Sequence, residues 1–208
     1  MKAAGDHDVL LVVDVQRDFC PGGTLAVPGG DAIVPVVNRL AQGFAHVILT
    51  QDWHPAGHSS FASAHPGRQP FETVEMEYGS QILWPDHCVQ GTEGAAFHPA
   101  LDVPRAELVV RKGFRPLIDS YSAFRENDRE TPTGLAGYLR ERGFSRLFFT
   151  GVAYDYCVGF SALAAARLGF EAIVVEDLTR GIAPTSIDST NAAFADARVQ
   201  RISSSDVS

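Results

Sequence analysis

The chain has 208 residues, 45% of them hydrophobic, and 17 Lys and Arg against 25 Asp and Glu give a formal net charge of −8. That length supplies one core of ordinary domain size, and the acidic balance argues against the clustered basic footprint of a nucleic-acid binder. No apolar run approaches the roughly 20 residues that span a bilayer. Met1 to Asp6 carries no signal-peptide core, so the expected location is the cytoplasm. Cys20, Cys88 and Cys157 are an odd number without framework spacing and read as free thiols.

Val9 to Val13 is a continuous apolar run, the pattern of a buried strand, and it delivers Asp14 at its carboxyl end before the Pro21-Gly22-Gly23 break. Ile33, Val34, Val37 and Leu40 then fall at helical spacing, predicting a helix over 31–42 stopped by Gly43. A second strand, Val47 to Thr50, runs into Gln51, Asp52, Trp53 and His54. From Pro55 to about Pro104 the chain is irregular and rich in Gly, Pro, Ser and His, and so long an irregular stretch in a compact domain is usually functional.

Leu108 to Val110 predicts a third strand ending at Arg111-Lys112-Gly113, and Leu135 and Leu139 mark a helix from about Thr133 to Arg142. The run Arg146 to Thr150 reads as a fourth strand. Cys157 follows it in the first turn of a helix, where unpaired N–H groups favour an anion and bias the thiol towards thiolate. Ala172 to Val175, a helix from Pro184 and a last strand from Val199 to Ile202 complete six strands alternating with helices, which implies a parallel sheet covered on both faces.

Ligands of such sheets bind outside the carboxyl ends of the strands. Asp14, Asp52, Lys112 and Cys157 all arrive there, from four different strands. Each has an ordinary alternative: a turn cap, a solvated acid, a surface lysine, a small core residue. Their convergence on one edge is what favours function. Asp52 and His54, one residue apart on an extended segment, point to the same side. A carboxylate with imidazoles suits zinc, iron or manganese rather than calcium. His58, His65, His87 and His98 are further imidazoles in the irregular stretch, and spacing does not choose among them; His7 and His46 read as surface.

Five segments in order, VDVQRDFCPGGTLAV from Val13, TQDWHPAGHSSFA from Thr50, WPDHCVQGTEGAAFHP from Trp84, RKGF from Arg111 and GVAYDYCV from Gly151, carry a resemblance. From Leu10 to about Ile182 the sequence is similar to nicotinamidases (pyrazinamidases) of the isochorismatase-like cysteine hydrolase superfamily. The resemblance implies a three-layer α/β/α fold with a central six-stranded, mainly parallel sheet. It implies one domain over 1–208, with a long metal- and substrate-binding loop region at about 51–104. The activity implied is metal-dependent hydrolysis of nicotinamide to nicotinate and ammonia, and of pyrazinamide to pyrazinoate, in NAD salvage.

Residue by residue, the resemblance implies a triad of Asp14, Lys112 and Cys157. It implies one divalent ion, zinc before iron or manganese, on Asp52, His54 and His87, with His58 as an additional candidate. An oxyanion loop with a cis peptide between Val152 and Ala153 would include Cys157, and Phe19, Trp84, Tyr121 and Ala153 would border the substrate. Tyr154 stands where the family commonly has threonine, a departure that bears on pocket shape. The implied partner is a small nicotinamide-like amide, with no nucleic acid or membrane; oligomeric state and the roles of Cys20 and Cys88 stay open. The competing readings are a hydrolase of carbamoyl or ureido amides, which would lack the Asp52-x-His54 pair, isochorismatase proper, which would replace the cysteine, and a non-catalytic metal-binding protein, which would have lost part of the triad.

Overall fold

The computed structural model describes residues 5–207. Residues 1–4, part of the stretch read above for a leader, lie outside the described residues. Six strands form one sheet in the order β5-β2-β1-β6-β7-β8, every neighbouring pair parallel. They are β1 (Asp8–Val13), β2 (His46–Asp52), β5 (Leu108–Lys112), β6 (Arg146–Val152), β7 (Glu171–Arg180) and β8 (Gln200–Ile202). The four helices are α1 (Val34–Gln42), α2 (Leu135–Glu141), α3 (Gly159–Arg167) and α4 (Pro184–Ala197). Among the described residues no helix is long and apolar enough to cross a membrane.

The layers follow from the two-residue period of a strand. In β1, which is buried throughout, Val9, Leu11 and Val13 join a core with Leu135 and Leu139 of α2, Ala162 and Ala165 of α3 and Phe194 of α4. Leu10 and Val12 face the other way, into a core with Val34, Val37 and Ala41 of α1. A continuous apolar strand is thus a strand with two cores, each fully buried Val or Leu contributing roughly 1.5–3 kcal/mol. The expected three-layer α/β/α architecture is the one observed.

Three boundaries differ from expectation. Helix α1 starts at Val34 rather than Asp31, with Pro35 in its first turn, where a missing N–H costs no intrahelical bond. Strand β7 continues past its apolar run to Arg180, because Thr179 and Arg180 pair with Gly151 and Val152 beyond a bulge in β7, which advances from Val174 to Thr179 while β6 advances from Phe149 to Gly151. The 55–104 stretch contains an antiparallel hairpin, β3 (Thr73–Met76) and β4 (Gly79–Ile82), which pairs Met76 with Gly79 across a two-residue turn. Its half-exposed residues gave no apolar run to read.

Gly151 is fixed by the packing of β1 on β6. Its φ is 108°, and a Cβ there would lie 2.0 Å from the Val13 carbonyl oxygen. Gly137, exposed within α2, would meet nothing within 4 Å. Gly151→Ala is therefore expected to cost at least about 3 kcal/mol and to lower Tm by roughly 6–12 °C. Gly137→Ala is expected to stabilise by about 0.5–1 kcal/mol. Thermal unfolding of the two variants checks the opposite signs.

Candidate active site

The strand ends at the carboxyl edge bring together the four residues that the sequence singled out. Asp14 follows β1 with φ 48°, a left-handed conformation that aspartate tolerates and that turns its carboxylate back under the sheet edge. Thr50 of β2 fixes it, donating from Oγ1 to Oδ1 at 2.6 Å and accepting the Asp14 N–H at 3.1 Å. Lys112 ends β5, directly opposite Asp52 at the end of β2, and is completely buried. Its ammonium lies 2.8 Å from Asp14 Oδ2, contacts Asp52 Oδ1, donates to Ser120 O at 3.0 Å and reaches Cys157 Sγ at 3.3 Å.

Burial by itself would push Lys112 down, but Asp14 and Asp52 hold it well above its ordinary pKa, so it is an ammonium. Asp14 is raised, burial outweighing the pull of Lys112, and its Oδ2 accepts no well-directed hydrogen bond. Burial also carries Cys157 well above its ordinary value, with Asp14 and Asp52 adding to the rise and Lys112 opposing it. This corrects the expectation of a thiolate biased by a helix terminus. The residue sits inside a single π-helical turn, Tyr154–Val158, ahead of α3, and two buried carboxylates stand close by. Burial thus favours the protonated form of both Cys157 and the Asp14 carboxyl beside it.

Asp52 faces two ways. Its Oδ1 meets Lys112, while Oδ2 lies 3.7 Å from His54 Nε2 and 3.8 Å from His87 Nε2. His54 Nδ1 is 2.8 Å from Gly113 O and His87 Nδ1 is 2.8 Å from Pro85 O, so both Nδ1 atoms must carry the proton and both Nε2 lone pairs can face the acid. His87, buried and beside His54, is pulled down to about 4 and is neutral. Burial would lower His54 as well, but Asp52 outweighs it and raises it. A carboxylate oxygen and two Nε2 atoms, all within 4.8 Å of one another and each imidazole anchored by a carbonyl, offer the donor set of a divalent transition ion. Gly113 completes the arrangement: its φ is 66°, and a Cβ would lie 2.4 Å from His54 Cε1.

His58 is differently placed. It packs against His54 with ring centroids 4.6 Å apart, but Nδ1 is 2.7 Å from Ser60 Oγ and Nε2 is 2.8 Å from Arg115 O. Nε2, facing a carbonyl, is a donor there, and His58 groups with His54 and Asp119 rather than with Asp52 and His87. His65 likewise bonds to Ser59 O, and His98 Nδ1 accepts from the Ala100 N–H.

Above this floor opens a pocket of about 360 Å³, its mouth included, lined by Asp52, His87 and Cys157 below and Phe19, Trp84, Tyr121 and Ala153 at the sides. The peptide bond between Val152 and Ala153 is cis, as the resemblance implied. Leu25, Val27, Asp119, Tyr156 and Ile182 also line the pocket and were not anticipated. Tyr156 was legible from its place beside Cys157, and Leu25 and Val27 lie in a recognised motif; Asp119, a lone loop acid, gave no signal. Tyr156 stands edge-on to Trp84 at 5.0 Å and to Tyr121 at 5.5 Å. Tyr154 does not line the pocket: it packs on Phe194 and its hydroxyl donates to Asn191, tying the π turn to α4. The departure from threonine is therefore spent on that attachment.

Known proteins agree with this geometry. The isochorismatase domain family matches residues 8–206. A nicotinamidase of Acinetobacter baylyi is 53% identical over 182 residues, covering 88% of this chain and 85% of that protein. The structure of a nicotinamidase and pyrazinamidase of Acinetobacter baumanii superposes with a TM-score of 0.96 at 52% identity, covering 97% of this chain and 98% of that one. A pyrazinamidase of Pyrococcus horikoshii in complex with zinc follows at a TM-score of 0.77 and 35% identity, covering 95% and 99%. The chain thus belongs to the isochorismatase domain family, within its nicotinamidase and pyrazinamidase group.

Proposed function

We propose that this chain hydrolyses the carboxamide of nicotinamide to nicotinate and ammonia, and pyrazinamide to pyrazinoate, serving salvage of the pyridine ring for NAD. The observation that carries the reading is an aromatic-walled pocket lined by Cys157, Asp52 and His87, with Asp14 and Lys112 against the thiol and His54 beside Asp52 and His87. A flat ring fits between the aromatic walls, with its carboxamide over the thiol.

An amide carbonyl is a weak electrophile, so its hydrolysis needs a nucleophile, a site for the oxyanion and a proton for the departing nitrogen. Asp14, a carboxylate of raised basicity, takes the Cys157 proton as Sγ attacks the carbonyl carbon. Lys112 keeps the charge of the developing thiolate compensated. The N–H groups of Ala153 and Cys157 receive the oxyanion, a donor of this kind lowering such barriers by about 2.7–4 kcal/mol. Asp14 then returns the proton to the amide nitrogen, the C–N bond breaks and ammonia leaves a thioester. Water, deprotonated by Asp14, adds to the thioester; the C–S bond breaks, the acid is released and the thiol regains its proton. Asp52, His54 and His87 would hold a divalent ion, zinc before iron or manganese, which when bound supplies a Lewis-acid contact for the ring nitrogen and so orients the substrate.

Cys157→Ala is expected to lower ammonia release from nicotinamide by at least about 10³-fold with an unchanged Tm. Retained turnover would remove the nucleophile assignment. Dialysis against a chelator is expected to abolish turnover and Zn2+ to restore it; full activity in protein shown by elemental analysis to be metal-free would exclude the ion. Lys112→Met strands two buried carboxylates and is expected to cost about 3–5 kcal/mol. In thermal unfolding, adding Asp14→Asn to that variant should recover part of the loss, because one of the stranded charges is gone.

A further inference from the structure

The segment leaving β1 carries more than Asp14. Gln16 is completely buried, and its amide makes three hydrogen bonds: Oε1 accepts the Asp52 N–H at 2.8 Å, and Nε2 donates to Asp52 O at 2.9 Å and Ala95 O at 2.9 Å. Both backbone polar groups of Asp52 are thereby closed by one side chain, just where β2 ends and its carboxylate must divide between Lys112 and the two histidines. Two residues on, buried Asp18 accepts the Cys88 N–H on Oδ2 at 2.7 Å and the Thr24 N–H on Oδ1 at 3.3 Å. Cys88 is bonded to His87, and its carbonyl accepts the His54 N–H at 3.0 Å. Asp14 faces Lys112 and the thiol, while Gln16 and Asp18 reach the segments bearing Asp52, His54 and His87.

We infer that Gln16 and Asp18 are positioning residues for the metal cluster: Gln16 sets the Asp52 backbone, and Asp18, through the Cys88 peptide, sets His87 and His54. The inference rests on the reading of those three residues as ligands. A ligand set whose backbone is displaced by a few tenths of an ångström binds its ion more weakly even where the fold survives, and loss of a supporting hydrogen bond typically costs 10–100-fold in metal affinity. Gln16→Met keeps length and removes all three bonds. Asp18→Ala removes both acceptors, whereas Asp18→Asn keeps one for Cys88.

The test measures Zn2+ affinity by competition with a chromophoric chelator on the metal-free full chain, and the visible d–d absorption of the Co2+-loaded protein, with far-UV circular dichroism to establish folding. Gln16→Met and Asp18→Ala are expected to bind Zn2+ about 10–100-fold more weakly than wild type and to alter the Co2+ spectrum, with Asp18→Asn restoring most of the affinity. Wild-type affinity and spectrum in folded Gln16→Met and Asp18→Ala, whatever their Tm, overturn the inference. Should Gln16→Met not fold, Gln16→Glu, which keeps the acceptor for the Asp52 N–H but not the two donors, takes its place under the same criterion. His87→Ala separates the two levels: wild-type Zn2+ affinity in that variant overturns the ligand reading and the inference with it, whereas lost affinity there beside unchanged affinity in the Gln16 and Asp18 variants overturns the inference alone.

Discussion

The site depends on one buried ammonium. Lys112 lies between the carboxylates of Asp14 and Asp52 with no exposure to water, and without it two negative charges would face each other inside the protein. At Asp14 burial outweighs the pull of Lys112, whereas at Asp52 Lys112 and His54 together outweigh burial. Asp14 remains basic enough to accept a proton, while Asp52, which also faces two histidines, is held below the usual carboxylate range despite burial. The two carboxylates that share one cation are thus pushed in opposite directions, Asp14 towards holding a proton and Asp52 towards losing it. In the proposed function these become the general base and a metal ligand, joined through a single amine.

This division gives the pocket its polarity. The thiol end and the histidine end are connected through Asp52, whose two oxygens belong to different halves of the site. In the proposed function the thiol meets a carboxamide and the histidine cluster a ring lone pair, two groups that nicotinamide and pyrazinamide both carry. The aromatic walls supply flatness. Trp84 donates its Nε1 hydrogen to the Tyr121 hydroxyl, which also accepts from Gln81 of β4, so the ring orientations are tied to the hairpin in the long connection. The hairpin is the scaffold of one wall, and this is a physical reason for so long a connection in so small a chain.

Much of this was legible in the sequence. Five continuous apolar runs gave a parallel sheet with two cores, and polar residues at the ends of those runs placed Asp14, Asp52, Lys112 and Cys157 at one edge. Local order sufficed because the strand period and the rule that ligands bind at carboxyl ends do not depend on which strands are neighbours. The choice of His87 over His58, His65 and His98 came only from the resemblance, since side chains in a loop have no periodicity to constrain them. The hairpin, Asp119 as a lining residue and the continuation of β7 beyond Val175 had no local signal, being specified by partners distant in the chain.

The sequence by itself therefore determined the layered α/β architecture and the end of the sheet at which Asp14, Asp52, Lys112 and Cys157 meet, because burial and periodicity are written into short runs of residues. Only the tertiary structure decided their charge states and connections. It raised the Cys157 thiol through burial, set His58 Nε2 against the Arg115 carbonyl, turned Tyr154 towards α4 and set Gln16 against the backbone of Asp52. A pKa is fixed by desolvation and by charges a few ångströms away, and a hydrogen bond by the direction of its partner. Those quantities exist only once strands far apart in the chain have been brought side by side.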